Sequence, residues 1–159
     1  MTTVRLDEAI EAILDAMVAV VRAAATTPGN PLASLRSVVR GDRARPMPDL
    51  PSLWIVPEPA SNTHVATAGG RGIAETWAMP VRLAALVKSD DPPAAGRECV
   101  RLAARARSEV LRDRQLGLPY VADVTSTAFD AAVRRNPDNS LLYWADATLT
   151  VRFTVLEGP

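Results

Sequence analysis

Few residues in this 159-residue chain are equipped for chemistry, and they stand apart from one another. His64 is the only histidine and Cys99 the only cysteine. A nucleophile–histidine–carboxylate relay would have to run through His64, because an imidazole is the base of such a relay. No nucleophile motif accompanies it, and its surroundings read as a loop. Cys99 falls on the apolar stripe of a predicted helix, where a free thiol behaves as a small buried hydrophobe. One cysteine allows neither a disulfide framework nor a multi-cysteine metal site. Gly69-Gly70-Arg71-Gly72 lacks the strand–helix setting and the lysine of a phosphate loop. Asp90-Asp91 carries oxygens suited to a cation, but a helix cap ahead of Pro92 explains the pair more simply. Glu75, Asp130, Asp146 and Glu157 sit on or beside predicted strands, at no spacing that pairs a general acid with a base. These residues point to no enzymatic activity, no cofactor and no metal.

Charge gives a clearer pattern. Arg97, Arg101 and Arg105 recur every four residues along one predicted helix, a spacing at which like charges repel by roughly 0.2–0.5 kcal/mol per pair. Asp7, Glu11 and Asp15 give the other predicted helix an acidic face. The two faces form a candidate subunit interface, with the acids of one copy meeting the arginines of the next in a head-to-tail ring. Arg40-Gly41-Asp42 spells a tripeptide familiar from cell adhesion, yet nothing else in the chain looks secreted.

The 18 basic and 18 acidic residues cancel, which removes any general attraction to nucleic acid or anionic lipid. No apolar run approaches the roughly 18 residues of a membrane span. Asp7, Glu8, Glu11 and Asp15 interrupt the first 25 residues, unlike a signal peptide, so synthesis in the cytosol is expected.

Hydrophobic periodicity sets the elements that must hold these groups. Leu6, Ile10, Ile13, Leu14, Met17, Val20, Val21 and Ala24 predict a helix over residues 3–25, with Thr3 as its cap. Residues 28–53 form a Pro- and Arg-rich connecting segment with room for a short strand at 37–40. Residues 53–56 read as a strand, and 58–72 as a flexible loop suited to partner contact. Strict alternation predicts a strand over 73–88, with Pro80 marking it as an edge or a bulge. Asp91 and Pro92 open a second helix that Gly117 and Pro119 close. Its stripe is Ala95, Cys99, Leu102, Ala103, Ala106 and Val110, with Glu109 on the outer side. Arg107, beside the stripe, is expected to snorkel or find a carboxylate. Residues 120–134 and 143–155 form a closing hairpin around a turn at 136–140. The last strand sets Tyr143, Ala145, Ala147, Leu149, Val151, Phe153 and Val155 on one face. Trp144 and Arg152 on its other face are expected beneath a helix or in a subunit contact, with core or helix packing favoured for Trp144. The expectation is a single α+β domain: a largely antiparallel or mixed sheet of about four strands, with two long helices packed on it.

This succession resembles the tail terminator, or tail completion, proteins of long-tailed bacteriophages, the lambda-type minor tail protein group. The likeness lies in the amphipathic first helix, the Pro-rich stretch into "LPSLWIVPEP", and the strand "ETWAMPVRLAALVKSDD". It continues through the helix "PPAAGRECVRLAARARSEVLRD" and the closing "YWADATLTVRFTVLE". It covers nearly the whole chain in pattern and order rather than in an invariant motif.

The resemblance implies a structural virion subunit that forms a ring, usually a hexamer. Such a ring caps the tail tube, ends its polymerisation and joins it to the head or neck. The implied partners are further copies of the chain, the tail tube protein and a neck or head-closure protein, with no membrane or specific nucleic acid. The implied location is the tail–head junction of the virion, reached from the host cytoplasm. Flexibility alone nominates His64, Gly69, Gly70 and Arg71 in one loop, and Asn136, Asp138 and Asn139 in the other, as tube or neck contacts. The alternatives are another head–tail connector subunit, or a cellular non-enzymatic ligand-binding domain. Three Trp, two Tyr and two Phe, mostly on apolar stripes, disfavour RNA binding.

Overall fold

Helix α1, Leu6–Ala25, starts two residues later than a cap at Thr3 implies. The Glu8 carboxylate accepts the Arg5 backbone N–H at 3.3 Å, and this contact makes Arg5, not Thr3, the boundary. The computed structural model describes residues 3–42, 48–67, 72–138 and 141–157. After α1 come a 3₁₀ turn at Pro31–Ser34 and the strands β1 (Ser37–Arg40), β2 (Ser52–Pro57), β3 (Ser61–Thr67) and β4 (Ile73–Lys88). Helix α2 (Pro92–Val110) then leads to β5 (Val121–Arg135) and β6 (Leu142–Glu157).

The sheet is mixed and has six strands rather than about four. Its order is β1-β2-β4-β6-β5, with β3 lying against β4. β1 pairs with β2 in parallel; every other pairing is antiparallel. All of β4 is matched to all of β6, from Ile73 beside Glu157 to Lys88 beside Leu142. The apolar face of β6 is buried from Tyr143 to Val155, as its alternation predicts. Both helices cover that face: α2 lies over β4, β5 and β6, and α1 lies beside it over β1 and β2. The α2 stripe from Ala95 to Val110 is buried in full, Cys99 included. Among the described residues no helix lies on the opposite face of the sheet, which suits an antiparallel sheet.

Several expectations are corrected by this topology. Within the segment 58–72, expected as a loop, Ser61–Thr67 forms β3 and pairs antiparallel with Ile73–Ala78. Pro80 marks neither an edge nor a bulge. On one side of β4, β2 stops at Pro57 opposite Val81 and β3 begins at Ser61 opposite Ala78. Pro80 falls in that gap, where its carbonyl still accepts the Glu58 N–H at 2.9 Å. A residue in an antiparallel strand directs N–H and C=O to the same side, so the missing donor costs the sheet nothing.

Helix α2 ends at Val110 rather than near Gly117. The Asp113 carboxylate takes the Gln115 N–H at 3.0 Å, and this local bond competes with the helical one. Leu116, at φ 54°, then turns into the core, and Gly117 follows at φ 68°. Arg107 finds a hydroxyl and not a carboxylate: its Nε donates to Ser126 Oγ at 2.8 Å. Trp144 lies under no helix; it stands half-buried on the open face.

Candidate interaction surface

The charges named from sequence are for the most part engaged within the chain. Arg40, at the end of β1, has a side chain only 6% exposed. Its guanidinium reaches Glu11 at 2.9 Å and Asp15 at 3.0 Å across to α1, and Asp42 at 2.8 Å in its own loop. The Glu11 bond, against the cost of burial and helped by Asp42 and Asp15, holds Arg40 protonated even more firmly than a free arginine. The adhesion-like tripeptide is therefore an internal clamp. Gly41 is needed beside it, because a Cβ there would lie 2.5 Å from Val56 Cγ2.

Asp7 pairs with Arg5 at 3.3 Å on the surface. Arg101 holds Glu98 at 2.7 Å and reaches Ser34. Its hydrogen bond depresses the Glu98 carboxyl below the usual glutamate range. Arg105 binds Glu109 at 2.8 Å, and Arg97 is exposed. Glu109 is a correction. Expected on the outer side of α2, it is buried and takes Arg105, Arg112 at 2.9 Å and Asn30 Nδ2 at 3.1 Å. So Glu11, Asp15, Arg101 and Arg105 have less to gain from a neighbouring subunit than free charges would.

His64 sits in β3, in register with Thr76. Burial pushes the Cys99 thiol up to about 11, so it carries no thiolate at neutral pH. Asn136 and Asp138 lie in the turn before β6, where Asn136 Oδ1 accepts the Asp138 N–H at 2.8 Å. Gly69, Gly70, Arg71 and Asn139 lie outside the described residues. Among the described residues no group of His, Cys, Asp and Glu is arranged to hold a metal ion.

Two surfaces emerge that sequence patterning does not isolate. The first is an arm made of β3 and the first half of β4. All seven β3 residues are exposed. No Asp, Glu, Lys or Arg guards this edge, although edges are commonly blunted with charge. Val65 is 56% and Ile73 47% exposed, on the side that faces the helices farther along the sheet. The edge at β5 is different: Asp130, Arg134 and Arg135 line it, and three register shifts break its pairing.

The second surface is a dish on the helix-free face. Trp54, Ala84 and Asp146 lie side by side in register, flanked by Leu86 beside Trp144 and by Val56 near Arg82. These residues, with Leu142 and Asn136, enclose about 320 Å³. Asp146 is 7% exposed, and its ion pair with Arg82 is long, at 3.7 Å.

No protein-family model matches the chain, and no curated protein matches it.

Proposed function

We propose that this chain is a structural subunit of a long-tailed bacteriophage: a tail terminator that assembles into a ring, caps the tail tube, ends its growth and joins it to the head or neck. It works by surface and shape, at the tail–head junction, and carries no catalytic role. The α+β architecture is the one the resemblance implies, which supports the reading. The observation that carries it is the arm: seven consecutive exposed, uncharged strand residues along one side of β4. An edge of that kind is a template for another chain.

The test is reconstitution with a polymerising tail-tube protein, watched by electron microscopy. Adding the full chain should give tubes of limited length that carry a ring of density at one end only. Tubes that keep growing, with bare ends at saturating protein, would refute the assignment.

A further inference from the structure

The dish on the open face is incomplete by itself. One of its nitrogens, Trp54 Nε1, is buried without a hydrogen-bond partner among the described residues, and Arg82 Nε has only the Glu58 carboxylate, at 3.9 Å. A buried N–H left unmet costs roughly 1–3 kcal/mol, so each such group asks for an explanation. The walls around them are Trp54, Trp144, Leu86 and Val56, and the floor is the small Ala84. What fits is an apolar body that brings acceptor oxygens with it.

The arm offers both. Val65 and Ile73 supply exposed apolar side chains, and β3 pairs with β4 alone, so its outer carbonyls are open acceptors. The two surfaces cannot meet within one molecule. Ile73 and Ala84 are eleven positions apart along one strand, up to about 35 Å at the usual rise. They also point to opposite faces, because their positions differ by an odd number.

We propose that the β3–β4 arm of one subunit lies on the Trp54–Trp144 dish of a second copy of this chain. Two uncovered apolar surfaces are buried together as sheet packs on sheet, and the polar edge of the arm supplies an acceptor for Trp54 Nε1. The contact is heterologous, the kind that closes into a ring when the rotation permits. This deepens the ring reading above and rests on it, but it is tested separately.

Native mass spectrometry of the full chain and three variants tests the contact, with circular dichroism as the check on folding. Wild type should form a closed oligomer. The arm variant Val65→Asp/Ile73→Asp changes only exposed positions and should be monomeric. The dish variant Ala84→Arg should be monomeric as well. Mixed one to one, these two should form a heterodimer and nothing larger, because only one arm and one dish remain intact. Trp54→Phe keeps an aromatic ring but loses the donor and part of the contact area, and should weaken association at least about fivefold.

A monomeric wild type overturns the proposal. So does an arm variant that keeps the wild-type mass, or a folded pair of variants that ignore each other. If Ala84→Arg fails to fold, the mass of the arm variant alone upholds or overturns the contact. A ring that forms through arm and dish but leaves tubes uncapped keeps this contact and removes the terminator function.

Discussion

Arg40 shows how far a single side chain's role can lie from its sequence neighbourhood. Its partners Glu11 and Asp15 are 29 and 25 positions away, and Glu109 meets Asn30 across 79. No local pattern reveals that these charges are buried, because burial of a charge is decided by the distant groups that satisfy it. Cys99 is legible for the opposite reason: the helical period alone puts it in the core. Arg40→Met should lower stability by about 2 kcal/mol in urea unfolding. This is less than for a wholly buried pair, since Glu11 and Asp15 keep much of their contact with water. Cys99 predicts a pH effect. Its folded thiol titrates near 11, against roughly 8.5 when unfolded. The folded form therefore favours the neutral thiol, whose contribution is complete below pH 8.5 and is lost as pH rises towards 11. Cys99→Ala should flatten the fall in stability over that window relative to wild type.

At the scale of elements, the strands and helices legible in the sequence are those with one uniformly apolar face. β4, β6 and the α2 stripe follow their periods closely, so their extents or faces are plain. β3 escapes detection because Ser-Asn-Thr-His-Val-Ala-Thr has two similar faces and no alternation to find. The role of Pro80 is hidden because a strand's sequence does not say which neighbour begins or ends beside it. Two glycines in separate elements should respond oppositely to a methyl group. At Gly41 the β1–β2 pairing leaves no room, so Gly41→Ala should cost about 1–3 kcal/mol. At Gly96, within α2, a Cβ would meet Val133 Cγ2 at an ordinary 3.4 Å. Gly96→Ala should add about 0.5–1 kcal/mol through helix propensity. Thermal melts of the two variants beside wild type read both signs.

For the whole molecule, one apolar core runs beneath both helices and takes in residues of β1, β2, β4, β5 and β6. Such a core should be lost in a single step. Far-UV dichroism and tryptophan fluorescence should trace coincident transitions, with two of the three tryptophans reporting from the open face. The α+β class is legible because two amphipathic helices and long alternating strands leave few ways to bury their faces. The dish is not, since it needs β2, β4 and β6 side by side, and their neighbour relations are a matter of topology.

Strand order and chain order disagree in one consequential place. β6 lies between β4 and β5, yet it follows both along the polypeptide. During synthesis, β4 and β5 emerge with a strand-wide gap between them and nothing to fill it. The β1-β2-β4-β3 part of the sheet can pair beforehand, but β5 cannot join it until residues 142–157 have cleared the ribosomal tunnel, so its completion is deferred. Through that interval the long inner margin of β4 stands open in a crowded cell, and a chaperone that shelters nascent strands would find its substrate there.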